Sequence, residues 1–313
     1  MTRNLPKVFI TFDVEDFIND RSLCSLKLTL IMLKILDIRA IFFITGHMIE
    51  KIANYPTIVE MLKEHEIGYH SSGHSVRPTI FEYTDISDFH KAYNISLLRE
   101  TSHINPLTGE IEGEGGLSLL RKVFPNKEIK SFRAPGLCWS PPNLMALSDL
   151  KIKFDFSTAI SFDICAFKGI TFFPAPMQVN LFNVRNTPRI LKIILERSTT
   201  VFLIHPDSIV NARLWDSIYF DENPRNLSLV AQRSLRNSMG MFANLELFYL
   251  SLKTLHQAKL LKITSDLNEQ PKEIKDIKNE LDPAKIYEIA AYWLKFFHYR
   301  PKHLFDHFLE FLK

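Results

Sequence analysis

A chain of 313 residues, 46% hydrophobic and 23% charged, holds enough apolar material for one large core, or for one domain with a modest appendage. Its net charge of +3 is spread over interspersed signs with no block of like charge, which argues against nucleic acid or an anionic membrane as a partner. Cys24, Cys138 and Cys165 are odd in number and far apart, so reduced thiols are expected rather than a disulfide framework. The first seven residues run straight into a strand-like segment without an apolar targeting stretch. No uncharged stretch is long enough to span a bilayer. The expectation is a soluble cytoplasmic protein with no transmembrane segment.

In chain order, residues 7–12 (KVFITF) read as a buried strand and 25–36 (SLKLTLIMLKIL) as an amphipathic helix. Residues 40–45 (AIFFIT) are again a strand, 57–65 a helix and 66–69 a short strand. A polar stretch at 103–116, containing glycines, predicts an inserted loop or short hairpin that borders the cleft. Strands follow at 129–132, 153–156 and 199–204, then a helix at 245–257 and a last strand at 260–263. Residues 265–282 are charged and read as a linker or solvated helix. Beyond them Ile286, Ile289, Ala290, Trp293 and Phe297 share one helical face, and Leu304, Phe305, Phe308, Leu309 and Leu312 share another. Strands alternating with helices imply parallel strands with crossover helices, an α/β fold that is either a doubly wound sheet or a barrel. In a barrel the chemistry sits at the carboxyl ends of the strands, which directs attention to the residue after each strand.

Four clusters lie there. Asp13, Glu15 and Asp16 follow the first strand within four positions. Alternation sends Asp13 and Glu15 to the same side, and carboxylates this close persist best when a cation neutralises them. The competing reading is an acidic strand end that caps the next element. His70 and His74 follow the strand at 66–69; spaced i and i+4, they point the same way on a helical turn and suit one metal ion. With one carboxylate they leave coordination positions open for water and substrate. Arg133-Ala134-Pro135-Gly136 follows another strand: the arginine can orient a buried carboxylate, and the Pro-Gly turn can aim a backbone N–H at an oxyanion. Trp139 just beyond can stack on a sugar ring or pack in the core. His205 follows the apolar strand 199–204, where a general acid would sit. His47 follows a strand and can line the cleft. His65, His90, His103, His256, His298, His303 and His307 have no supporting context.

Taken together these clusters resemble the polysaccharide deacetylase family with the NodB-homology domain, similar to carbohydrate esterase family 4. Thr11-Phe12-Asp13-Val14-Glu15-Asp16 resembles its first motif, in an Asp-Val-Glu-Asp form where the usual form has two adjacent aspartates. His70-Ser71-Ser72-Gly73-His74 resembles the His-Ser/Thr-x-x-His motif, Arg133-Ala134-Pro135 the Arg-x-Pro motif, and Leu203-Ile204-His205 the final Leu-x-His motif. Residues 40–46 resemble the family's second strand, and Phe154-Asp155-Phe156-Ser157 a strand and turn between its last two motifs. The resemblance implies a distorted (β/α)7 barrel over residues 1–265; the C-terminal helices lie outside it, and residues 266–313 read from their amphipathic faces as a C-terminal helical extension packed on the barrel or on a partner. It implies Asp13 as general base and His205 as general acid. Glu15 (or Asp16), His70 and His74 would hold one divalent metal ion, most often zinc, with cobalt, nickel or others in some members. Arg133 would hold Asp13, and the Gly136 N–H would help bind the oxyanion. Alternation favours Glu15 over Asp16 as the ligand.

The implied activity is removal of an acyl group, N-acetyl foremost, from a carbohydrate or a precursor of surface glycan or lipopolysaccharide assembly. The alternatives are a hydrolase of a small cyclic amide or formamide, and a carbohydrate-binding relative without catalysis. The C-terminal helices are candidates for contact with a second copy of the chain or a membrane surface.

Overall fold

The computed structural model describes residues 5–74, 85–105, 108, 110–113, 115–137, 139–157, 164–179, 187–212, 235, 238–268, 275–276 and 302–313. The first strand, β1 (Lys7–Val14), is buried on both faces, as expected of a central parallel strand covered from both sides. It lies between β2 (Ile41–Ile44) and the late strand β11 (Thr199–Ile204), parallel to both. Outward from β2 come β3 (Glu66–Tyr69), β6 (Ser131–Phe132), β7 (Phe154–Asp155) and β9 (Ile170–Phe172), each parallel to its neighbour. These seven strands form the curled parallel sheet of a (β/α) barrel. Around them, β10 (Met177–Gln178) extends the β11 edge and β12 (Lys262–Ile263) pairs with β1. The antiparallel β8 (Cys165–Phe167) flanks β9, followed by β13 (Lys275–Asp276).

Alternation along β1 divides the apolar side chains between two cores. Val8, Ile10, Phe12 and Val14 face the helices and join the larger cluster. Phe9 points inward and meets Ile41, Phe43, Phe156, Phe173 and Val201 in a smaller cluster that fills the barrel. Inside it Phe156 and Phe173 stack at 4.0 Å, and Phe9 meets both edge-on. The next inward positions on β1 are Thr11 and Asp13. The Thr11 hydroxyl donates to the Phe202 carbonyl at 2.5 Å. The interior therefore changes from aromatic to polar at the carboxyl end of the sheet.

Helices connect the strands. α1 (Asp20–Ile35) starts earlier than its apolar periodicity predicts, because Asp16 gathers the N–H groups of Ile18 and Asn19 and the Ser22 hydroxyl ahead of its first turn. α2 (Gly46–Ile52) is capped by the Thr45 hydroxyl, and α3 (Pro56–Leu62) opens on proline. α4 (Phe89–Thr101) is capped by Asp88 and buries Ala92, Ser96, Arg99 and Glu100, a mostly polar face that hydrophobic periodicity does not signal. α5 (Gly116–Val123), α6 (Pro141–Asp149), α7 (Thr187–Glu196) and α8 (Ser238–Gln257) complete the layer around the sheet. Between α4 and α5, β4 (His103–Ile104) and β5 (Ile111–Glu112) form the short antiparallel hairpin expected within 103–116.

In the C-terminal segment, Trp293, Phe297 and the rest of the first amphipathic face lie outside the described residues. The second, α9 (Leu304–Leu312), docks on the barrel. Leu304, Phe308 and Phe311 are buried, and Phe308 and Phe311 lie 5.2 and 5.8 Å from the Trp139 ring. The His307 imidazole meets the Ile86 carbonyl at 2.8 Å. Among the described residues no helix is long and apolar enough to cross a membrane. Cys24 and Cys165 are free thiols, and Cys138 lies outside the described residues.

Candidate active site

All four sequence clusters follow parallel strands whose register aligns their carboxyl ends. Phe12 pairs with Ile204 and Phe42, Tyr69 with Phe132, and Phe132 with Asp155. The residues just beyond these pairs are Asp13, His205, His70 and Arg133, so the sheet brings them together. Each is buried.

Arg133 and Asp13 form an enclosed ion pair. Arg133 Nη1 donates to Asp13 Oδ1 at 2.7 Å and its Nε donates to the Phe156 carbonyl at 2.9 Å. The guanidinium lies over the Phe43 ring, 4.5 Å from its centroid. The Arg133 backbone is fixed as well, since the Ala134 N–H donates to the Ser157 hydroxyl, which donates to Asp155. Burial raises the Asp155 carboxyl to about 7, against the opposing pull of its Ser157 hydrogen bonds and Arg133. With Oδ1 committed to Arg133, Asp13 turns Oδ2 toward His70 Nε2 at 3.6 Å and His205 Nε2 at 4.0 Å.

Glu15 continues the alternation and stands beside Asp13. Its Oε2 lies 3.1 Å from His70 Nε2 and 3.0 Å from His74 Nε2, and its Oε1 is 3.6 Å from His205 Nε2. Burial opposes its charge, but the His74 and His205 imidazoles and the contacts with His70 hold its carboxyl well below the usual range. Asp16 is turned away, held by Ile18, Asn19 and Ser22 at the head of α1, so the reading of an acidic cap describes this one carboxylate.

The His70 tautomer is set by its surroundings. Its Nδ1 lies 2.7 Å from the Arg133 carbonyl, which can only accept, so Nδ1 carries a proton. In a neutral ring the Nε2 lone pair then faces the Glu15 carboxylate, and His74 Nε2 faces the same oxygen. Two arrangements reconcile this: imidazolium rings donating to Glu15, or a cation shared by all three side chains. The spacing suits the cation, since ligand atoms about 2.1 Å from one tetrahedral zinc lie roughly 3.4 Å apart. A ligating histidine whose other nitrogen donates to a carbonyl is the usual supporting arrangement.

The histidines converge by a route other than the expected helical turn. Residues 71–74 form a loop in which Ser71 and His74 adopt positive φ, 66° and 47°. A buried network steadies it. Glu100 accepts from the Tyr69 hydroxyl at 2.5 Å and the Ser72 N–H at 3.1 Å, and also from Asn143 at 2.9 Å and Arg99 at 2.5 Å. Burial and the neighbouring Glu100 keep the Tyr69 hydroxyl protonated far above its usual range. On the other side the Gly46 and His47 N–H groups donate to the Ser71 and Ser72 carbonyls. A Cβ on Gly46 would come within 2.7 Å of the Ser72 carbonyl oxygen, so only glycine permits this approach. Sequence reasoning missed Glu100, Arg99 and Asn143; at a helix end or loop edge, such residues read as solvated.

Gly136 sits in a short 3-10 turn with φ 58° and is exposed at the end of β6. The sugar-stacking alternative for Trp139 is corrected. Its ring is fully buried against Phe172, Phe308 and Phe311, and so has no face to offer a sugar. His205 opens a turn fixed by Ser208, whose hydroxyl donates to the His205 carbonyl at 2.6 Å.

A curled parallel sheet with its polar residues gathered at the carboxyl ends defines a β/α barrel. No sequence model of a protein family matches the chain, and no curated protein matches it. Among solved structures it is similar to a protein of Mycobacterium smegmatis assigned to the polysaccharide deacetylases, with a TM-score of 0.52 at 13% identity over 87% of this chain and 97% of the other. A family 4 carbohydrate esterase from Streptomyces lividans aligns with a TM-score of 0.42 at 13% identity, over 87% of this chain and 98% of that one. The catalytic domain of a peptidoglycan N-acetylglucosamine deacetylase from Eubacterium rectale aligns at 0.42 and 10% identity, over 88% and 96%. The first of these carries the assignment: the chain has the fold of the polysaccharide deacetylases.

Proposed function

We propose that the protein is a metal-dependent deacetylase that hydrolyses an N-acyl group, acetyl foremost, on a carbohydrate or a precursor of surface glycan or lipopolysaccharide assembly. The observation that carries this reading is the convergence of Glu15, His70 and His74 on one point, beside a buried Asp13–Arg133 pair and within reach of His205. Glu15, His70 and His74 would hold one divalent ion, zinc foremost, with cobalt or nickel as alternatives. When bound, the ion supplies Lewis acidity toward water and the acyl carbonyl.

The chain's own residues divide the remaining work. Arg133 holds Asp13 through Oδ1 and leaves Oδ2 to take the proton of the attacking water. Water adds to the acyl carbon and the Gly136 N–H steadies the carbonyl oxygen as it gains charge. His205 Nε2 gives a proton to the amine nitrogen as the carbon–nitrogen bond breaks, releasing acetate and the free amine. Asp13 and His205 would thus divide the two proton transfers, one taking and one giving a proton.

The test is acetate and formate release from a panel of N-acylated sugars, nucleotide-linked sugars and oligosaccharides, with zinc, cobalt or nickel supplied. Release from at least one acylated carbohydrate, lost in Asp13→Asn, is expected. Metal-loaded protein that releases no acid from any member of the panel would overturn the reading.

A further inference from the structure

A second group of metal-ligating side chains lies outside the site just described. His47 occupies the first turn of α2, Glu50 follows one turn later, and His103 opens the β4–β5 hairpin. Their ligand atoms lie within 4.8 Å of one another. Glu50 stands between the rings, its Oε1 2.8 Å from His103 Nδ1 and its Oε2 3.7 Å from His47 Nδ1. The two imidazoles meet edge to face at 5.3 Å, and Phe17 covers the His47 ring from another direction at 4.9 Å.

Hydrogen bonding accounts for one edge of this arrangement, His103 Nδ1 to Glu50 Oε1 at 2.8 Å, but not for the edge to His47. The 3.7 Å separation is too long for a hydrogen bond. Among the described residues His47 Nε2 has no hydrogen-bond partner, in a side chain only 4% exposed. Coordination asks for something different: lone pairs of several side chains turned toward one centre. Two histidines and a carboxylate are a zinc-type donor set with a position left for water. Glu50 and His103 are 37% and 27% exposed, so an ion can enter from solvent.

We propose that His47, Glu50 and His103 bind a second divalent transition-metal ion, of the zinc class, which staples the β4–β5 hairpin to α2 at the rim of the barrel. The site is structural and independent of the proposed catalysis. It is nevertheless close to the histidine loop, because the His47 N–H donates to the Ser72 carbonyl at 3.2 Å. An ion here would fix the hairpin beside the loop that carries His70 and His74.

The test uses the full chain, stripped with chelator and reloaded with zinc, with bound metal counted by elemental analysis after gel filtration. Two equivalents are expected in the unaltered protein, and one in each of His103→Ala and Glu50→Gln. His70→Ala should also keep one, and His70→Ala/His103→Ala should keep none. Hydrogen exchange supplies a local readout. In His70→Ala, zinc should slow exchange of hairpin amides at 103–105 and 110–113, and the added His103→Ala change should abolish that protection. Two equivalents retained in both His103→Ala and Glu50→Gln, or hairpin exchange in unaltered protein indifferent to zinc, would overturn the proposal and leave the cluster as an ion pair.

Discussion

The Asp13–Arg133 pair offers a quantitative test of how the site is held. Both side chains are buried, 3% and 0% exposed, and joined at 2.7 Å. Unit charges with centres about 4 Å apart attract by about 4 kcal/mol at an effective dielectric constant of about 20. Breaking a buried pair by removing one partner typically costs about 3–5 kcal/mol, because the remaining charge is stranded. Arg133→Met keeps an unbranched side chain over Phe43 and removes the charge, so a loss in that range is expected. It should be read by urea denaturation in chelator, which keeps metal binding out of the measurement, with the buried Trp139 as fluorescent probe. Asp13→Asn alone strands the guanidinium. In Asp13→Asn/Arg133→Met neither charge remains, so the double loss should fall short of the summed single losses by about 2 kcal/mol or more. Losses that add to within about 0.5 kcal/mol would mean that the residues are uncoupled and that something else fixes Asp13.

The three carboxylates after β1 should separate by phenotype. Glu15→Ala should lose the equivalent of metal held with His70 and His74 and Asp16→Ala should keep it, whereas Asp13→Asn should keep metal but lose about 10²–10⁴-fold in turnover. Full metal in Glu15→Ala with that equivalent lost in Asp16→Ala would move the ligand by one residue. Glu100→Gln should weaken the support of the histidine loop and lower zinc affinity about 10–100-fold, the range for groups that orient ligands. Affinity unchanged by equilibrium competition would remove Glu100 from that role. Asp155 gives a pH signature. Its folded pKa, about 7, lies above the ordinary 3.8, so the stability it contributes is complete below about 4 and is lost as pH rises through 7. The difference in unfolding free energy between the unaltered protein and Asp155→Asn should shift against the former by a few kcal/mol between pH 5 and 9, at about 1.4 kcal/mol per pKa unit. A constant difference across that range would show that the carboxyl does not titrate there.

The alternating strands and helices were legible because β1, β2 and β11 are unbroken apolar runs, and buried parallel strands need little else. The convergence of Asp13, Glu15, His70, Arg133 and His205 followed from strand order, since each lies at or just beyond the carboxyl end of a strand in one parallel sheet. α4 was illegible for the opposite reason. It buries Arg99 and Glu100, side chains paired across space with Ser71, Tyr69, Ser72 and Asn143, which no local pattern brings near. The histidine loop misled in a different way: spacing suggested a helical turn, whereas tertiary hydrogen bonds impose positive φ at Ser71 and His74. His47 and His103 lie on different elements, and only the packing of the hairpin joins them. Trp139 was ambiguous until α9 was seen to cover it.

That covering helix also sets an order of assembly. Trp139 belongs to the segment that follows the Gly136 turn, yet Phe308 and Phe311, which enclose its ring, lie far downstream in the chain. Synthesis runs from the amino end, so β1, β2 and β3 can pair before α9 exists, while the indole waits uncovered. Such long-range contacts close slowly, because the intervening chain must be ordered first. A nascent chain therefore passes through a stage with its first sheet strands formed and an aromatic surface open at the rim, a natural point for chaperone engagement. α9 can close over Trp139 only after the chain has been made as far as Phe311.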